Sequence, residues 1–297
     1  MADNHVVWTR RDFVRGAFGA ALTAPFAGHA PAAEFGQGPA RPGRSATVVI
    51  VRDQKALGPG HEVDTAVLKR MLGDAVMRVT GQPSPQAAWR TLVKPSDTVG
   101  LVPTPHLNPT HTEVVDAVRA GLIDAGIPAA RIVNAQGGID KARGCTALIG
   151  LPALKAHWLT GLGTSLKLYI MYSGNPSRYH DANNANLAET WLLPEVKGKT
   201  KLVLVDALRP LCDKGPQPDP RYLWDYGGLI AGRDPVAIDA ICLRIVMEKR
   251  RELRGEPWPI SPPPLCVAAA DEKFGLGTSR LEEIKLEKAG WSEGALV

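Results

Sequence analysis

Short apolar runs alternate with amphipathic segments along most of the chain. Runs such as 46–53 and 201–208 are apolar at nearly every position, which is typical of strands covered on both faces. We expect strands at 46–53, 97–104, 130–135, 145–151, 201–208, 227–233 and 284–288. We expect helices at 62–80, 108–126, 162–173, 184–193, 234–253 and 263–274.

This alternation predicts an α/β fold with a mostly parallel sheet flanked by helices. Loop-rich excursions are expected near 174–200 and 209–226. Asn108-Pro109 and Asp234-Pro235 each place a capping residue before a proline, so we expect a helix to begin at each pair. Ligands of such folds bind at the carboxyl ends of strands, which points to the loops after 104, 151 and 206.

Composition adds few constraints. The 297 residues are 44% hydrophobic and 22% charged, with a net charge of +5, which fits one α/β domain over 47–297. The basic run around Lys249 and Arg254 resembles the solvated end of a helix. No recognition motif accompanies it, so we expect no nucleic-acid partner.

The N-terminus has the order of an export signal. The stretch TRRDFVR at 9–15 resembles a twin-arginine motif, an apolar run follows at 16–27, and Ala30-Pro31-Ala32 is a small-residue cleavage site. We therefore expect a signal at 1–32, a flexible lead-in at 33–46, the twin-arginine export machinery as partner and a periplasmic location. The apolar run is too short to span a bilayer stably, so no membrane anchor is expected after cleavage. The alternative is an amphipathic surface helix.

Several enzyme classes lack their motifs. The four cysteines form no C-x-x-C pair, which argues against an iron–sulfur or zinc-ribbon site. No G-x-G-x-x-G follows the first strand and no G-x-S-x-G occurs, so neither nicotinamide binding nor serine hydrolysis is supported.

Basic side chains interrupt an apolar stretch at 151–169. Lys155 and His157 lie two apart and point to the same side if extended, whereas Lys167 lies two turns into a helix if 160–173 is helical. A buried lysine needs an ionic partner or a polar cavity, and Asp206, Asp181 and Asp239 are the candidate partners. A structural ion pair and a lysine that reaches solvent remain the alternatives.

The order of motifs resembles domain-of-unknown-function family 362, in its exported branch. The resemblance rests on DTVGL, THTEVVDAVRAGLIDAG, LPALKAH…TSLK, RYHDANNAN and LVLVDAL…GP…GGLIAGRDPVAIDA, which together span about 97–240. This family usually has a Lys and an Asn in the strand where this chain has 101–104, including Val102 and Thr104. It usually has Asn where this chain has Leu168.

The order of the four basic residues His106, His157, Lys167 and His180 is also similar to that in nickel-pincer lactate racemases. That resemblance implies an acid/base role for His157, a cofactor contact for a lysine and a metal-binding role for His180. The resulting site prediction comprises catalytic His157, Lys167 and Lys155; substrate-binding Arg178, Tyr179 and His106; and metal-binding His180, Asp206 and Asp181.

We therefore expect an enzyme that depends on a metal or cofactor and acts on a small anionic substrate, with a divalent metal as the candidate cofactor. The alternative is a periplasmic protein that binds an anion or a metal without turnover.

Overall fold

A computed structural model describes residue 41 and residues 43–297. The export signal predicted at 1–32 lies outside these residues. The Arg41 guanidinium binds the buried carboxylates of Asp271 and Glu283, each at 2.8 Å. Arg41 belongs to the segment 33–46 that is predicted as a flexible lead-in, and these two ion pairs link it to the C-terminal part of the chain.

A nine-stranded sheet forms the centre of the part of the chain that the structure describes. The strands are β1 (Ala46–Arg52), β2 (Val99–Pro103), β3 (Ile132–Asn134), β4 (Ala147–Leu151), β5 (Ala153–His157), β6 (Gly161–Gly163), β7 (Thr200–Leu211), β8 (Gly228–Gly232) and β9 (Ile284–Gly290). The main order is β3-β2-β4-β7-β8-β1-β9, and β5 joins the second half of β7 and pairs with β6.

Most neighbouring strands run parallel, as in β2 with β4 and β4 with β7. The antiparallel neighbours are β8, which lies between β1 and β7, and the β5–β6 hairpin. The predicted α/β class with a mostly parallel sheet is confirmed. Because β2 and β4 end side by side at Pro103 and Leu151, their following loops lie at one edge of the sheet.

Six α-helices occur in the described part of the chain, and three of them begin at a side chain that caps the helix. The six helices are α1 (Thr65–Thr80), α2 (Pro85–Leu92), α3 (Thr112–Asp124), α4 (Ile139–Arg143), α5 (Pro235–Arg254) and α6 (Cys266–Glu272). Asp64 caps α1 and Asp234 caps α5 through hydrogen bonds to backbone N–H groups. Among the described residues, no helix combines the length and apolar character needed to cross a membrane.

Two hydrophobic cores cover the two faces of the sheet. One core packs the apolar faces of α1, α2 and α3 against one face and includes Trp89. The other core packs α5, α6 and the segment around Tyr169 and Trp191 against the opposite face. Strand residues such as Ile149 and Leu204 have no exposed surface, which explains the continuous apolar runs in the sequence.

Two helix predictions are wrong. Residues 162–173 are not one helix: Gly161–Gly163 is strand β6, a turn follows, and a 3-10 helix covers Ile170–Ser173. The helix predicted to begin at Asn108 begins at Thr112, after a loop in which Leu107 and Asn108 both have positive φ. In the excursion after Gly174, 3-10 helices cover Pro176–Tyr179 and Asp181–Trp191.

Candidate functional site

The β5–β6 hairpin positions Lys155 and His157 on one face. Both residues lie in β5 two positions apart, and each pairs across the hairpin with a glycine: Lys155 with Gly163 and His157 with Gly161. A Cβ atom on Gly163 would lie 3.2 Å from Lys155 Cγ and 3.5 Å from His157 Cβ. Glycine at this position therefore leaves the space in which both basic side chains lie.

The turn that carries Lys167 is held by the buried carboxylate of Asp239. Its oxygens accept hydrogen bonds from the backbone N–H groups of Ser165 and Leu166, each at 2.9 Å. Burial raises the pKa of Asp239 to about 6, although these hydrogen bonds favour the carboxylate. Asp239 was expected as a partner for a lysine, but its side chain binds this backbone instead.

His180 is placed by contacts of the residues that follow it in the sequence. Asp181 donates its backbone N–H to the Leu159 carbonyl at 2.8 Å, which ties the segment to the end of the β5 strand. The buried Asn184 side chain donates to the carbonyls of Asp181 and Pro263 and accepts from the Cys266 N–H. These bonds bring the His180 ring to 6.3 Å from the His157 ring, measured between centroids.

Together these elements enclose a cavity of about 300 Å³. Five of the predicted site residues line it: His106, Lys155, His157, Lys167 and His180. The remaining wall is mainly apolar, and the described residues that line the cavity include no Asp or Glu. Apolar or aromatic residues of that wall include Val102, Leu168, Ile170, Met171 and Tyr172. The cavity is thus a basic site without an acidic counterpart in its lining.

Both lysines of the cavity hold a proton less tightly than usual. Lys155 is 4% exposed, and its Nζ donates a hydrogen bond to the Asn108 carbonyl. Burial lowers the pKa of Lys155 to about 7, against an opposing effect of Asp206. Burial also lowers the pKa of Lys167 to about 8. Near neutral pH, both amines are therefore ready to gain or lose a proton.

His157 and His180 are both held in the neutral form. Burial, followed by the charge of Lys167, lowers the pKa of His157 to about 3. Its Nδ1 accepts the Leu159 N–H at 3.1 Å, so the proton of the neutral ring is on Nε2. Burial and Lys167 also lower the pKa of His180, whose Nε2 lies 3.4 Å from Lys167 Nζ. A charged Lys167 donates to that nitrogen.

Asp206 has a partner that the sequence did not indicate. Its Oδ2 accepts from both the backbone N–H and Nδ1 of His111, each at 2.7 Å, and its Oδ1 accepts from the Leu208 N–H at 3.1 Å. Burial disfavours the His111 imidazolium, but its hydrogen bond to Asp206 and the charge of Asp206 outweigh this, so its pKa is raised. Asp206 and His111 do not line the cavity described above.

Three other predicted residues also lie outside the cavity lining. Arg178 forms an ion pair with Glu189 at 3.0 Å, and the Tyr179 hydroxyl donates to the same carboxylate at 3.2 Å. Asp181 is exposed. In the described part of the chain, no group of three or more His, Cys, Asp or Glu side chains is arranged to hold a metal ion. The predicted metal set of His180, Asp181 and Asp206 is therefore not brought together.

The departures from the family pattern fall on the cavity wall. Val102, Thr104 and Leu168 all line it, at the positions where polar side chains were expected from the resemblance. Thr104 Oγ1 accepts the Ala153 N–H at 3.1 Å and so holds the start of β5. Relative to that pattern, this chain has a more apolar cavity in which the basic groups of β5 and the following turn dominate.

A family model described as "Domain of unknown function (DUF362)" matches residues 127–244. Over that segment, the chain is similar to DUF362. The match covers about two fifths of the chain and includes Lys155, His157, Lys167 and His180. No curated protein and no solved structure matches the chain significantly.

Proposed function

We propose that this protein binds a small organic anion in the cavity between β5, the turn at Lys167 and the segment at His180. The observation that carries the proposal is a cavity of about 300 Å³ that is lined by five basic side chains and a largely apolar wall, with no acidic residue among the described residues of its lining. A carboxylate group fits the basic part and its carbon substituent fits the wall.

Charge supports this occupant. Burial without a counter-ion destabilises the charged form of a lysine side chain, as the lowered pKa values of Lys155 and Lys167 indicate. A bound anion favours the charged form, so binding raises both pKa values and takes up protons. Affinity is therefore expected to fall as the pH rises above about 8, the pKa of Lys167 in the empty cavity.

Propionate and propionamide test the proposal, because they share a shape and differ in charge. We expect propionate, but not propionamide, to raise the melting temperature of the full chain and to release or absorb heat in calorimetry. Lys155→Met is expected to abolish the effect. Arg178→Met is the matched control and keeps binding, because Arg178 pairs with Glu189 outside the cavity. Equal stabilisation by both compounds would contradict an anion site.

A second candidate function is enolisation of a bound 2-oxo acid, with His157 as hydrogen-bond donor and a neutral cavity lysine as acceptor of the carbon-bound proton. The observation in its favour is that Leu159 N–H occupies Nδ1, so the neutral ring carries its proton on Nε2, where it can donate to the carbonyl oxygen as the enolate forms. The test is deuterium incorporation from D₂O into the methyl group of pyruvate, followed by NMR. His157→Gln should slow the exchange while pyruvate still stabilises the protein. An unchanged rate in that variant would remove His157 from this role.

We also infer export by the twin-arginine machinery and a periplasmic location, from the order of motifs at 9–32. Replacing Arg10 and Arg11 by lysine should leave a tagged protein in the cytoplasmic fraction. Periplasmic recovery of that variant equal to the wild type would contradict twin-arginine export.

We further propose that the likeness to DUF362 extends from the matched segment to the whole of 47–297.

A further inference from the structure

Lys167 is the cavity amine with a proton acceptor beside it. Its Nζ lies 3.4 Å from His180 Nε2, and no Asp or Glu is among the described residues that line the cavity with it. The side chain is half-buried and lines the cavity. An ammonium in this position has a route for its proton to the imidazole and no ionic partner that retains it.

Lys155 is placed for a different task. Its side chain is almost wholly buried, and its Nζ already donates to the Asn108 carbonyl. Asp206 lies close enough to oppose the lowering of the Lys155 pKa, whereas no carboxylate affects Lys167 in this way. Lys155 is thus the group suited to hold an anionic end, and Lys167 is the group suited to react.

We propose that Lys167 is a nucleophile that forms an imine with the carbonyl carbon of a small 2-oxo acid bound in the cavity. The inference rests on the proposed anion binding and adds a substrate class to it. A 2-oxo acid combines the carboxylate that the basic groups bind with a carbonyl one bond away, and its remaining carbon substituent packs on the wall at Leu168 and Ile170.

The step balances without an added oxidant or reductant. The Lys167 ammonium transfers a proton to His180 Nε2, and the nitrogen lone pair attacks the carbonyl carbon. The nitrogen then passes one of its two remaining protons to the former carbonyl oxygen. The resulting carbinolamine loses that oxygen as water, assisted by the proton on His180, and a C=N bond forms.

Reductive trapping tests the proposal on the full chain. The protein is incubated with pyruvate and sodium borohydride, and the adduct is located by mass spectrometry of intact protein and of peptides. We expect one adduct per chain, on Lys167. Lys167→Arg should lose the adduct, because arginine retains the charge without a nucleophilic amine. Lys197→Met, at an exposed lysine, is the matched control and keeps the full yield.

The outcomes separate this inference from the proposed function. Stabilisation by both propionate and pyruvate without an adduct overturns the imine and leaves anion binding intact. An adduct on Lys155, or one spread over surface lysines and equal in Lys167→Arg, also overturns it. Failure of propionate and pyruvate to stabilise the protein overturns the proposed function itself. His180→Gln should slow trapping at least several-fold and shift its pH dependence upward, whereas a merely structural role would leave the pH profile in place.

Discussion

Replacing Lys155 by methionine should make the empty protein more stable while it removes anion binding. Lys155 is 4% exposed, its Nζ has the Asn108 carbonyl as acceptor, and the neighbouring Asp206 carboxylate is bound to His111. Methionine is unbranched, similar in length and uncharged, so it fills the same space beside Gly163 without a buried charge.

The size of the effect follows from the Lys155 pKa. Burial lowers it from 10.5 to about 7, and a tenfold change in proton affinity corresponds to 1.36 kcal/mol, so the charged side chain destabilises the fold by about 5 kcal/mol below pH 7. Loss of the hydrogen bond to Asn108 offsets about 1 kcal/mol of this. We expect Lys155→Met to raise the free energy of unfolding by about 3–5 kcal/mol at pH 6.

The pH dependence has a definite sign. Between pH 7 and 10.5 the unfolded chain keeps the Lys155 proton that the folded chain has lost, so this residue makes the wild type more stable as the pH rises. The advantage of Lys155→Met should therefore shrink between pH 7 and 10. Urea unfolding at pH 6, 8 and 9.5 measures it, with Lys197→Met as an exposed control that changes stability by less than about 0.5 kcal/mol. No gain at pH 6, or a gain independent of pH, would refute the reasoning.

Three further changes test other parts of the fold. Asp239→Asn should flatten the pH dependence of the free energy of unfolding. Asp239, with a pKa of about 6, makes the wild type about 2–3 kcal/mol more stable at pH 4 than at pH 7. Urea titrations at both pH values would contradict this if the variant and the wild type changed equally. Arg41→Met should lower the urea midpoint at pH 7 and have less effect near pH 2. The reason is that the hydrogen bonds from Arg41 lower the pKa of the Glu283 carboxyl to about 2. An equal effect at both pH values would argue against the ion pair. Gly163→Ala should weaken propionate binding several-fold, because its Cβ lies 3.2 Å from Lys155 Cγ; calorimetry that gives the wild-type affinity would show that the side chain adjusts freely.

Continuous apolar runs were sufficient to predict central strands such as β1, β4 and β7, because strands buried on both faces leave that pattern whatever their neighbours are. Strands β5 and β6 were not predicted. The same pattern misled at 162–173, where Leu162, Leu166, Tyr169 and Ile170 have helical spacing. All four are buried, but Gly161–Gly163 pairs with β5, and this pairing replaces the first helical turn. Local periodicity predicts burial reliably and cannot exclude a hairpin with the preceding strand.

The site was predictable as far as strand geometry reaches. Alternation along β5 placed Lys155 and His157 on one face, and the structure shows them there. The position of Lys167 depends on Asp239, more than 70 residues later, and that of Asp206 on His111, 95 residues earlier. Such long-range hydrogen bonds leave no local signal. Arg178 and Tyr179 resembled site residues because their segment is polar, but Glu189 binds both.

The two lysines link stability, binding and reactivity. Without a carboxylate in the cavity lining, the empty protein holds Lys155 and Lys167 at pKa values of about 7 and 8, near the pH at which an amine changes between acid and nucleophile. An acidic side chain beside them would stabilise the fold, compete with an anionic ligand and keep Lys167 protonated. The lack of an acidic side chain among the described lining residues therefore lowers stability and leaves the cavity free for the anion binding and the imine formation that we propose.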